Sequence, residues 1–140
     1  MQPRDRFKEQ VLRVTSETYD ELALELFRYQ ASENRVYQAY LKALSVNPAQ
    51  VHSVQSIPFL PIEFFKTQRV QTGKQPSKVV FESSGTTGQQ VSQHYVADPA
   101  FYLALSQQLF EETYGNPRLP CTGITSFVLG AKRLVVGLYG

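Results

Sequence analysis

Lys78-Val79-Val80-Phe81-Glu82-Ser83-Ser84-Gly85-Thr86-Thr87-Gly88 is the stretch on which the reading of this chain turns. Its first half is a short β-branched and aromatic run, which reads as a buried strand. Its second half places four hydroxyls and two glycines within six residues. Glycine lets a backbone take positive φ and brings N–H groups close to a ligand. Successive N–H groups in such a turn form a nest suited to an anion. The hydroxyls of Ser83, Ser84, Thr86 and Thr87 supply further donors. The predicted unit is a strand feeding a loop that grips a polyphosphate. The competing reading is an ordinary polar turn, because Ser, Thr and Gly fill surface loops. The pattern is not a Walker A loop, which requires a lysine after its last glycine. Here Gln89 and Gln90 follow Gly88.

Outward from the loop, Val91 to Val96 is expected to pair back as a second strand of a hairpin. Asp98-Pro99 then starts a helix, with an acidic N-cap and proline at the first helical position. Phe101, Leu105 and Leu109 share one face of it, and Gly115 is the expected stop. Upstream, Gln71 to Ser77 is a polar connection. Ile57 to Lys66 contains Pro58 and Pro61, which exclude a regular helix or a central strand at its start. A helical turn after Pro61 is expected. Lys66 either snorkels to water or faces the phosphates.

The first fifty residues are helical in pattern. Phe7, Val11 and Val14 lie on one face of a short helix. Thr18 and Glu21 have the spacing of a capping box before a helix from Tyr19 to about Ser32. Leu22, Leu26 and Tyr29 form one stripe of that helix, with Ala23, Phe27 and Gln30 beside it. Val36, Tyr37, Tyr40, Leu41 and Leu44 mark another helix, broken by Asn47-Pro48. Phe27, Tyr29, Tyr37 and Tyr40 are expected in the core.

The length of 140 residues suffices for one domain with a real core. A net charge of +2 without a basic stripe argues against a nucleic-acid partner. No apolar stretch is long enough to span a bilayer, and the N-terminus lacks an apolar leader. The single Cys121 forms no internal disulfide and excludes a cysteine-based zinc site. A cytoplasmic address is the resulting default.

The loop resembles the phosphate-binding loop of the adenylate-forming superfamily. More narrowly, the chain resembles the acyl-protein synthetase branch, the fatty-acid-activating ligases of the bacterial bioluminescence reductase system. Leu26-Phe27-Arg28-Tyr29-Gln30, Ile57-Pro58-Phe59-Leu60-Pro61-Ile62-Glu63-Phe64-Phe65-Lys66 and Ser92-Gln93-His94 carry the same resemblance. It covers roughly residues 19 to 118. It implies an α/β fold: a helical region over 1–50, then over 51–118 the start of the adenylate-forming large domain, with an incomplete sheet. It implies ATP and magnesium, a fatty acid as substrate, and an acyl-accepting protein partner. By the same resemblance, Ser83, Ser84, Gly85, Thr86, Thr87 and Gly88 hold the β- and γ-phosphates, with Thr86 and Thr87 the leading hydroxyl contacts. His94 either approaches substrate or nucleotide or is a histidine satisfied within a strand. His52 has no motif support, and Glu111 and Glu112 read as a solvated helix face.

The chain departs from the superfamily pattern at Gln89, where a lysine is common. The adenine-binding motif, the ribose-binding aspartate and the catalytic lysine lie downstream in the family and are not found here. The tail, 119–140, does not share the resemblance. Thr122 to Tyr139 can be back-translated so that a frame shifted by one base reads LALLPSYLERSGSSLVYM, which resembles the family's continuation. A frameshift near Arg118 is therefore expected; the alternative is a genuine divergent C-terminus. These readings make the chain the N-terminal part of a ligase, inactive alone, or else a small anion-binding module.

Overall fold

The computed structural model describes residues 3–83 and 90–114. The fold is mixed α/β, mostly helical, with one small antiparallel sheet. In chain order come α1 (Pro3–Leu12), α2 (Tyr19–Glu33) and α3 (Arg35–Ala43). Two 3-10 turns, Pro48–Gln50 and Val54–Ser56, lead to the short α4 (Phe64–Thr67). β1 (Val79–Glu82) and β2 (Gln93–Val96) form the hairpin, and α5 (Pro99–Tyr114) follows. Among the described residues no helix is long and apolar enough to cross a membrane.

α2 is the centre of the packing because its apolar residues form two stripes. Leu22 and Leu26 meet Phe7 and Val11 of α1 and Phe101 and Leu105 of α5 in one buried cluster. Phe27, on the neighbouring stripe, meets Tyr37, Leu41, Val51 and Ile57 in another. Phe27 is wholly enclosed, at 0% exposure, with its ring edge-on to Tyr37 at 6.0 Å. Burial of side chains of this size is worth roughly 1.5–3 kcal/mol each. Of the four aromatics expected in the core, Phe27 and Tyr37 are fully buried, while Tyr29 and Tyr40 are half-buried at its margins. Val14 packs against the first cluster although α1 has already ended at Leu12.

Helix ends explain most of the chain's turns. Asn34 closes α2 and opens α3 at once. Its N–H donates to the Gln30 carbonyl at 2.9 Å, and its side-chain oxygen accepts from the Tyr37 N–H at 3.0 Å. Its amide nitrogen donates to the Thr72 hydroxyl at 3.2 Å, so this buried side chain is satisfied on both sides. The connection at Gly73 completes the cap: its N–H reaches the Glu33 carbonyl at 3.0 Å. Gly73 has φ of +82°, a conformation that strains residues with a Cβ. At α5 the expected start is present, the Asp98 carboxylate accepting from the Phe101 N–H at 3.2 Å.

Two expectations are corrected. The capping box at Thr18 does not form. Thr18 has α-like backbone angles, and its hydroxyl instead accepts from the Thr15 N–H at 3.0 Å and shares a hydrogen with the Thr15 hydroxyl at 3.2 Å. A local Ser/Thr turn has outcompeted the cap. Nor is β1 a buried strand. Val80 and Phe81 are 42% and 39% exposed: among the described residues the sheet has two strands, Val80 lies on the face without a helix, and Tyr102 covers the Phe81 ring only in part.

Candidate functional site

The hydroxyl and glycine loop sits at the head of the β1–β2 hairpin. The register pairs Val79 with Val96, Val80 with Tyr95, Phe81 with His94 and Glu82 with Gln93. The neck above these pairs is closed by two serines. Ser83 donates its N–H to the Ser92 carbonyl at 3.0 Å, and the Ser92 N–H donates to the Ser83 hydroxyl oxygen at 3.0 Å. Ser92 is buried and Ser83 exposed. Just below, the Gln93 amide donates to the Glu82 carboxylate at 2.9 Å. A backbone and side-chain bridge thus joins the two strands just before the loop segment leaves the described residues.

Of the predicted phosphate contacts, only Ser83 lies among the described residues. Ser84, Gly85, Thr86, Thr87 and Gly88 lie outside them, as do Gln89, Gly115, Cys121 and the tail. Ser83 uses its oxygen lone pair on Ser92, which leaves its hydroxyl hydrogen to donate. Its first task is to hold the neck.

His94 stands on β2, half-buried, directly across from Phe81. Its ring stacks on Phe65 of α4 at 4.9 Å and 24°. Beside it Phe81 stacks on Tyr102 of α5 at 5.0 Å and 27°. Alternation along the strands puts Val79, Phe81, His94 and Val96 on the covered face of the hairpin, and Val96 is completely buried there. Burial lowers the His94 pKa from its ordinary 6.5, so the ring is neutral at pH 7. A neutral imidazole offers a hydrogen bond to a ligand, not a charge.

The other face shows Val80, Glu82, Gln93 and Tyr95, with the Arg69 guanidinium 4.6 Å above the Tyr95 ring. Lys66 and His52 are both exposed. Among the described residues no three His, Cys, Asp or Glu side chains converge to hold a metal ion. The sequence reading quoted Ser92 and Phe65 within longer runs but missed their contacts with Ser83 and His94. The Ser92-Gln93-His94 run was the available signal for the first.

No protein-family model, curated protein or solved structure matches the chain.

Proposed function

We propose that this chain is the N-terminal part of an ATP-dependent acyl-protein synthetase, which activates a long-chain fatty acid as its acyl-adenylate for transfer to a protein thiol. The observation that carries this reading is the Ser83–Gly88 run at the head of a hairpin closed by the Ser83–Ser92 bridge. In the reaction, a carboxylate oxygen of the acid attacks the α-phosphorus of ATP. The bond to the bridging oxygen breaks, and its electron pair leaves with pyrophosphate. The loop's work is electrostatic: backbone N–H groups and the Thr86 and Thr87 hydroxyls stabilise the charge that builds on the leaving group. Glu82, the carboxylate nearest the loop in sequence, is engaged by Gln93, and the described residues offer no cluster to hold magnesium.

The hairpin supplies one grip on the phosphates, and positioning of the remaining substrate would have to come from elsewhere. The 140-residue chain should therefore bind MgATP weakly and show no acid-dependent ATP–pyrophosphate exchange. Titration calorimetry with MgATP tests this. Binding that disappears in Thr86→Ala/Thr87→Ala supports the reading. No binding in the natural chain, or binding that survives the double substitution, sinks it. The coding DNA tests the rest: a long open frame shifted by one base after codon 118 would identify the missing portion.

The exposure of Val80, Phe81, Ile62 and Leu103 favours a second reading, a non-catalytic fragment or small anion-binding module. Such a module would take pyrophosphate as tightly as ATP. A preference for the nucleotide distinguishes the ligase.

A further inference from the structure

The outer edge of β1 has a geometry and a charge pattern that fit one occupant. The Ser83–Ser92 pair exchanges two bonds across the hairpin, with the Ser83 hydroxyl in place of its carbonyl. Counting back in twos, Phe81 and Val79 direct their N–H and C=O groups at β2, while Val80 and Glu82 direct theirs outward. Among the described residues the sheet ends at β1, and its edge groups are a template for another strand. β2 is different: α4 packs against it and Arg69 covers Tyr95.

The edge strand reads Lys78-Val79-Val80-Phe81-Glu82. It is complementary to its own reverse. In an antiparallel pair centred on Val80, Lys78 of each copy stands opposite Glu82 of the other, and Val79 stands opposite Phe81. Val80 meets Val80 across the two-fold axis, where its outward N–H and C=O make the reciprocal exchange. Val80 and Glu82 share the uncovered face of the hairpin, and Lys78 stands just before β1 with its N–H donating to the Val96 carbonyl at 2.8 Å. Lys78 is exposed and has no carboxylate within salt-bridge distance among the described residues. Glu82 spends one oxygen on Gln93 and keeps the other. The register centred on Phe81 forfeits both charge pairs, because it sets Glu82 against Val80 and Lys78 against Ser84.

We propose that β1 pairs with β1 of a second copy of this chain, antiparallel and centred on Val80, to make a four-stranded sheet. Five residues a side make a small interface, so the dimer is weak and concentration-dependent.

Sedimentation equilibrium of the full chain should show a reversible monomer–dimer equilibrium that high salt weakens. Lys78→Glu and Glu82→Lys should each weaken it about tenfold, since each sets like charges opposite one another twice. Lys78→Glu/Glu82→Lys should restore it, because the pairs reform with their signs exchanged. In a Cys121→Ser background, Val80→Cys should cross-link under mild oxidation, its paired Cα atoms standing about 5.5 Å apart. Phe81→Cys should not. Cross-linking also decides the matter if a charge reversal perturbs folding, which circular dichroism would reveal. A chain that stays monomeric up to about 1 mM, a range that covers weak transient contacts, overturns the proposal. So do single reversals that dimerise like the natural chain, or faster cross-linking at position 81 than at position 80.

Discussion

The α2–α3 pair and the β1–β2 hairpin are held by opposite means. In the first, Phe27 is sealed among Tyr37, Leu41, Val51 and Ile57, and one buried asparagine satisfies both helix ends. In the second, one face leans on the Phe65–His94 and Phe81–Tyr102 stacks, and the other is open. The phosphate-loop candidate rides on the less buried of the two. Binding loops in general are drawn from the low end of local stability, with the scaffold elsewhere supplying the cohesion.

Truncation should separate the two regions most sharply. Phe27→Ala should cost about 3–5 kcal/mol, since it opens a cavity in a sealed cluster. Phe81→Ala should cost about 1 kcal/mol or less, since it removes a cross-strand and stacking contact from a ring already in partial contact with water. Urea denaturation of both variants checks the ordering, and equal losses would erase the distinction.

Asn34→Ala comes next, at about 1–2 kcal/mol. It removes the N-cap of α3 and the Thr72 contact in one step. Asn34→Asp keeps the capping oxygen and should recover most of the loss, which assigns the effect to the cap. For the hairpin, Ser83→Ala strips the acceptor from the Ser92 N–H, at about 1 kcal/mol. That loss should be local: amide exchange at Ser92 should quicken about fivefold while the exchange of α2 stays unchanged.

The same contrast governs what the sequence made legible. α2, α3, the hairpin and the Asp98-Pro99 start of α5 could be read because each is signalled by residues within a few positions of one another. That Asn34 would be buried with its amide nitrogen satisfied could not be read, because its partner Thr72 lies 38 residues away. The exposure of β1 was equally hidden. A run of Val, Val and Phe is compatible with one covered face or two, and only the neighbouring strands decide. At Thr18 a local bond to Thr15 and a capping box competed for one hydroxyl, and spacing alone does not rank them. At the candidate site, the hydroxyl and glycine run is visible in the sequence from Ser83 to Gly88, and only Ser83 of it lies among the described residues. The roles of Ser92 and Phe65 were not legible, since each depends on a tertiary neighbour.

The smallest expected effect is also the most specific, because the two regions carry titrating rings shifted in opposite directions. Tyr37 has its pKa raised from 10.0, chiefly by burial and then by neighbouring Tyr40. Its hydroxyl donates to the Pro58 carbonyl at 2.6 Å, a bond that ionisation would abolish. A raised folded pKa contributes stability present below pH 10 and lost as pH climbs through the folded value. His94 is lowered from 6.5 by burial. The unfolded chain therefore takes up its proton first as pH falls. The stability that His94 contributes is present above pH 6.5 and lost as pH drops through the lower folded value. Acid should loosen the hairpin and base the α2–α3 cluster. His94→Phe keeps a ring against Phe65 and has no proton to take up, so it should flatten the hairpin's response just below pH 6.5. Hydrogen exchange at Tyr95 and Val96, followed across that range, is the measurement. An undiminished response in His94→Phe would move the acid sensitivity to another group and leave the hairpin without its own switch.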